Sequence, residues 1–168
     1  MWGTRTRSLA AVTVALALAP GVAQAATSTA TASVIAVKPL SMVKTQDLDF
    51  GSLIASPTAG TVIIDPYSDA RTTTGGVTLA GGSPSAARFS AAGVLNILGL
   101  ITLPTSIALT GSGGGTMTIS AVTTNGPTTR LFSGTAILDV RVGGTLNVKA
   151  NQTVGDYTGT FQVTVVYL

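Results

Sequence analysis

Beyond about residue 25, apolar and polar residues alternate in short runs, which is the two-residue period of a β-strand with one face buried. Thr145-Leu146-Asn147-Val148-Lys149 alternates in this way, and Phe161-Gln162-Val163-Thr164-Val165-Val166-Tyr167 does so again. In the second run Phe161, Val163, Val165 and Tyr167 share one face, while Gln162, Thr164 and Val166 share the other. Between the two lie Gly155, Asp156 and Tyr157, a turn followed by an aromatic that can pack its ring and bond its hydroxyl to nearby backbone. The pattern predicts a hairpin that closes the chain.

The same period recurs upstream. Residues 26–44 form a first segment in which Ala30, Ala32, Val34 and Ala36 lie on one face, until Pro39 removes a ladder donor and places the strand at an edge or ends it. Leu48 and Phe50 alternate with Asp47 and Asp49, residues 61–64 form a strand, and Ala87, Phe89 and Ala91 alternate with Arg88 and Ser90. Residues 94–109 are the most apolar part beyond the first 25. Asn96, Gly99, Pro104 and Ser106 divide that stretch into two core strands rather than a membrane span. Met117, Ile119 and Ala121 alternate with Thr116, Thr118 and Ser120, as Leu138, Val140 and Val142 do with Asp139 and Arg141. Turn chemistry falls between these runs at Asp65-Pro66-Tyr67-Ser68-Asp69, Gly81-Gly82-Ser83-Pro84 and Asn125-Gly126-Pro127. No helical period persists. About ten short strands at roughly ten-residue spacing predict an all-β protein, an antiparallel sandwich occupying residues 45–168 as a single domain.

The N-terminus changes this picture only by adding a signal. Arg5 and Arg7 precede an apolar run over residues 9–19 and then Ala23-Gln24-Ala25, the arrangement of an export signal cleaved after residue 25. The run is short for a transmembrane anchor. Its removal takes the 9 Lys and Arg to 7 against 6 Asp, so the basic character belongs mostly to the signal. With no basic cluster left, nucleic acid and anionic membranes lose their electrostatic attraction. The protein is expected in the periplasm, at the cell surface or outside the cell.

Histidine, cysteine and glutamate do not occur. Triads that depend on a His base, Cys nucleophiles, disulfides and the usual zinc or copper ligands are thereby removed, and no catalytic residue is assigned. Gly111-Ser112-Gly113-Gly114-Gly115 has no following Gly-Lys-Ser/Thr and reads as a hairpin loop rather than a phosphate cradle. Asp47, Asp49, Asp65 and Asp69 are hard oxygen donors in two pairs that could contribute to a calcium site. Solvent-facing strand positions and turn formation account for them as well. A sugar site needs an exposed aromatic, for which Tyr67 in its turn is the candidate, although packing on the sandwich rim also explains it.

Asp47-Leu48-Asp49-Phe50-Gly51, Gly60-Thr61-Val62, Gly143-Gly144-Thr145-Leu146 and Gly155-x-Tyr157-Thr158-Gly159-Thr160, ending in Val163-Thr164-Val165-x-Tyr167, resemble a bacterial exported family. It is domain-of-unknown-function family number forty-four hundred and two. The ending is also similar to spore coat protein U domains and, more distantly, to chaperone-usher pilins, which are incomplete immunoglobulin-like sandwiches completed by the N-terminal strand of the next subunit. The resemblance implies a non-enzymatic surface protein, a pilus-like (fimbrial) or coat-like subunit. Its partners would be copies of itself or a periplasmic chaperone, met through strand pairing. In that reading Ala30, Ala32, Val34 and Ala36 form the face of a donor strand, and Phe161, Val163, Val165 and Tyr167 belong to the terminal strand that pairs with a partner. Two alternatives stand beside it. The N-terminal segment can pair within its own sandwich, and the domain can be a monomeric module that binds calcium or carbohydrate.

Overall fold

In the computed structural model, which describes residues 27–168, the expected export signal lies outside the described residues. The strands in order are β1 (Ser41–Gln46), β2 (Leu53–Ile54), β3 (Gly60–Ile64), β4 (Arg71–Gly75), β5 (Thr78–Leu79), β6 (Ala87–Ala92) and β7 (Leu98–Thr102). There follow β8 (Ile107–Gly111), β9 (Thr116–Thr124), β10 (Thr129–Leu131), β11 (Ile137–Val148), β12 (Tyr157–Thr158) and β13 (Thr164–Tyr167). All pairings among them are antiparallel.

The spine is β11. Its first half pairs with β6, from Ile137 opposite Ala92 to Val142 opposite Ala87, and its second half pairs on the same edge with β3, from Gly144 opposite Ile64 to Val148 opposite Gly60. Along its other edge runs β9. Strand β1 extends the sheet beyond β6, β4 lies beyond β3, and β8 and β12 continue it beyond β9. Strands β10, β7 and β13 make a second sheet in that order, and β2 with β5 make a third ladder.

Twelve residues of strict period two let β11 serve both ends of the core, because Leu138, Val140, Val142, Leu146 and Val148 all fall on one buried face. At the first end, Ala87, Phe89 and Ala91 of β6 and Leu138, Val140 and Val142 of β11 cluster with Ile101 of β7, Val165 of β13, Val163 just before it, and Phe132. At the other, Val62, Ile64, Ile107, Met117 and Ile119 are covered by Phe50, Val77 and Ala86. Leu48, Val122 and Phe161 pack against both clusters, and the Phe161 ring meets Phe89 edge-on at 6.2 Å. The protein is therefore an antiparallel β-sandwich, with more strands than the roughly ten expected. The additional ones are mostly two- or three-residue pieces that leave too short a period to read.

Several expected elements hold. Pro104 separates β7 from β8, Gly111 to Gly115 closes the β8–β9 hairpin, and the buried face of the final strand is the one its alternation assigns. The closing hairpin does not form. Strand β13 pairs with β7 and shares no ladder with β11, because the intervening chain first adds β12 beside β8 and then crosses to the opposite sheet. Alternation fixes which face of a strand is buried, and it carries no information on which strand lies alongside.

The N-terminal segment also differs from its expected strand. Residues 27–40 form no strand, and β1 begins at Ser41, so it spans the 44/45 boundary drawn from the sequence. Two units divide at residue 35, Met1–Ile35 and Ala36–Leu168. In the described part of the first, Val34 is 93% and Ile35 86% exposed. An alanine face buries little area per residue, and Pro39 interrupts the ladder just before β1 begins. No helix among the described residues is long and apolar enough to cross a membrane.

Candidate functional site

Two features of the sandwich bear on function, an open pair of strand edges and a cleft beneath a rigid turn. Strand β13 bonds β7 on one side and no other strand among the described residues on its second side, and β1 is likewise the last strand beyond β6. Both edges contribute to the same core. Leu40 and Met42 pack on it from the β1 side, and Val163, Val165, Phe161 and Tyr167 from the β13 side. The Tyr167 hydroxyl donates to the Lys38 carbonyl at 3.2 Å, tying the end of β13 to the chain just ahead of β1. Its ring meets Phe132 edge-on at 5.8 Å. A cavity of about 570 Å³ opens where β7 and the approach to β13 diverge, lined by Leu103, Pro104, Phe161 and Thr164 among others.

The turn over residues 65–69 is built from its own side chains. Asp65 Oδ1 accepts the Tyr67 amide at 2.8 Å, Asp65 Oδ2 accepts the Ser68 hydroxyl at 3.1 Å, and the Asp69 amide donates to the Asp65 carbonyl at 3.0 Å. Asp69 occupies a left-handed conformation, φ 61°, which aspartate tolerates better than most residues. Its carboxylate accepts the Ala86 amide at 2.9 Å and pairs with the Arg88 guanidinium. The Ala86 hydrogen bond, followed by the Arg88 contact and the charges of Arg88 and Arg141, outweighs burial and holds the Asp69 carboxyl below its ordinary value. Arg141 Nη1 donates to the Tyr67 carbonyl at 3.2 Å, so the turn is fastened to β11.

That lowered pKa gives a prediction. A carboxyl whose folded pKa lies below its unfolded one stabilises the fold at pH above the unfolded value, and the stabilisation is lost as pH falls through the folded value. Asp69→Asn is expected to lower stability at neutral pH by about 1–2 kcal/mol, since a charge-assisted bond becomes a neutral one. It should also flatten the dependence of stability on pH below about 4. Urea melts of both proteins at pH 7 and pH 3 test this. A constant difference between the two pH values would show that Asp69 contributes no charge term.

The four candidate calcium ligands do not converge. Asp47 pairs with Lys44, Asp49 Oδ1 accepts the Gly51 amide at 2.7 Å, and Asp65 and Asp69 are engaged in the turn just described. Among the described residues no three acidic side chains gather at one point. Tyr157 makes the backbone bond expected of it, its hydroxyl donating to the Thr153 carbonyl and accepting Gln152 Nε2 at 2.7 Å.

Sequence reasoning missed a bulge opposite the turn. Between the pairs Gly143–Thr123 and Thr145–Ser120, β11 has one residue, Gly144, where β9 has two, Ala121 and Val122. Ala121 takes φ 47° and turns outward, and Val122 packs on the core clusters, so the Met117-Ile119-Ala121 face ends at Ile119. The glycine doublet inside an alternating strand was the available signal, because strand glycines mark bulges and close approaches. The bulge and the Pro66–Tyr67 turn border a cleft of about 670 Å³ whose base includes Ile63, Gly144 and Thr145.

The architecture defines the class as an antiparallel β-sandwich with its edge strands β1 and β13 open. The chain belongs to the family described as Domain of unknown function (DUF4402), which matches residues 40–167. No curated protein and no solved structure matches it.

Proposed function

We propose that this is an exported, non-enzymatic structural protein of the cell surface, a pilus-like or coat-like subunit that assembles by β-strand exchange. Residues 30–37 of one copy would add to the open edge of β13 in the next, and a periplasmic chaperone would occupy that edge before assembly. The observation that carries this reading is the β13 edge itself. It offers unpaired backbone beside Val163, Val165 and Tyr167, a template that another strand can extend. The exposed apolar side chains of Val34 and Ile35, in a stretch without ladder partners, supply a segment of suitable character. Backbone pairing would provide most of the affinity, since the alanine face contributes little burial.

The test is a denaturing gel, unheated against heated, of protein recovered from the cell surface, run beside a variant lacking residues 26–37. A ladder that collapses on heating and is missing from the variant is the expected result. A single monomer band in every lane, with the variant merely less stable, overturns the reading.

A further inference from the structure

We infer that the cleft between the Pro66–Tyr67 turn and the β9 bulge is a binding site for a neutral sugar, independent of the strand edges. The three tyrosines of the described residues differ in what their hydroxyls meet. Tyr157 and Tyr167 direct their hydroxyls to backbone carbonyls, as buried or half-buried phenols do. Tyr67 is 64% exposed and its hydroxyl has no protein partner among the described residues. An aromatic left in solvent at the tip of a mobile loop would mean little. Here the loop is held at both ends and through its middle, by Asp65 beneath the Tyr67 amide, by Arg141 on the Tyr67 carbonyl and by Asp69 on the Ala86 amide and Arg88. A large flat side chain is thereby presented beside a cleft on a rigid support, so ordering it on binding costs little.

The lining supplies the rest of the chemistry. At about 670 Å³ the cleft falls in the size range of small-ligand sites. Ile63 and Pro66 give it an apolar part, and the hydroxyls of Thr72, Thr123 and Thr145 have no protein partners among the described residues. An aromatic face and an apolar patch suit the C–H face of a pyranose ring, while hydroxyls that donate and accept suit its rim. Charged ligands fit less well. Asp65, the acidic side chain in the lining, already has both oxygens engaged, and Arg141 directs its guanidinium to the Tyr67 carbonyl, Asp69 and Asp139. Arg130, whose charge also reaches Tyr67, spends its guanidinium on the Pro127 and Asp139 carbonyls, the Thr124 hydroxyl and the Asn125 side-chain carbonyl. These cations are held by other groups of the protein, so a neutral hexopyranoside is the class the cleft suits best. Its position on the side of the large sheet carrying β3, β9 and the middle of β11 is separate from the β13 edge. Strand exchange and sugar binding can therefore coexist in one subunit.

Saturation-transfer NMR on the chain from residue 26 onward tests this, with cellotetraose, maltotetraose, mannotetraose and fully N-acetylated chitotetraose each at about 5 mM, a concentration that detects millimolar affinity. At least one is expected to receive saturation. Tyr67→Ala should weaken that binding tenfold or more, whereas Tyr67→Phe, which keeps the ring, should weaken it only a fewfold. Thermal melts and the proton spectra of both variants report whether the fold is intact, and Thr123→Val removes a lining hydroxyl without touching the turn. Transfer to none of the four sugars overturns the inference. So does transfer that survives both Tyr67→Ala and Thr123→Val unchanged, because the sugar would then lie elsewhere.

Discussion

Replacing Phe132 by alanine is expected to destabilise the domain by about 3–5 kcal/mol and lower its melting temperature by on the order of 10–20 °C. Phe132 is 0% exposed, immediately after β10, where the second sheet closes on the first. Two glycines make room for it. A Cβ on Gly93 would lie 2.7 Å from the ring, and one on Gly99 would lie 2.8 Å away. The ring thus rests on bare backbone, and that backbone is fixed. The Phe132 amide donates to the Ile97 carbonyl at 2.9 Å, and the Asn96 amide donates to the Phe132 carbonyl at 2.7 Å. A site walled by hydrogen-bonded main chain cannot collapse into the space left by truncation, which puts the cost near the upper end for such substitutions. Tyr167 would also lose its edge-on partner, loosening the end of β13. Calorimetry and urea melts measure the loss, and a value under about 1.5 kcal/mol would show that the glycines close the gap.

Gly143→Ala is expected to cost about 1–3 kcal/mol or more, although it adds a single methyl group. The Cβ would be placed 2.2 Å from the Ile64 carbonyl oxygen and 2.8 Å from Cδ of Pro66. Neither neighbour is the free end of a flexible side chain. Ile64 is in the β3–β11 ladder, and Pro66 is in the turn held by Asp65, Asp69 and Arg141. Relief requires β3 and the turn to move together away from β11. Melting curves report the stability change, and amide chemical shifts of residues 64–70 report the displacement. A variant with the parent's stability and an unmoved turn would show that Gly143 is not the point on which the two close.

These two residues also show how far the sequence could be read. Phe132 stands outside any clear alternation, since its neighbours Thr129, Arg130 and Leu131 form a three-residue strand with no measurable period. Its importance comes from Gly93 and Gly99, each more than thirty positions away in the chain, and local patterning holds no record of such a contact. Gly143 was visible within a glycine doublet in an alternating strand, but the partner that makes it necessary, Pro66, arrives only with the β3–β11 register. The candidate site divides in the same way. Turn chemistry at residues 65–69 was legible, because Asx turns are bonded within a few residues. The exposure of Tyr67 was not, since packing on the sandwich rim explained that residue in the sequence and the structure leaves it in solvent. The bulge at Ala121, the cleft it borders and the arginines that fasten the turn depend on pairings across long loops.

By itself the sequence determined the all-β class, the buried faces of β6, β11 and β13, the break at Pro104 and the hairpin after β8. Each of these follows from two-residue periodicity or from a glycine or proline acting on its immediate neighbours. Only the tertiary structure decided that β13 leaves β11 for β7, that β3 and β6 share one edge of β11, and that β1 and β13 end their sheets open. The physical reason is that a strand's side chains fix which of its faces seeks the core, whereas its backbone hydrogen-bonding groups are the same for every partner. Which strand lies beside which is settled by the packing of the whole, by where Phe132, Phe161 and Leu48 fit between the layers.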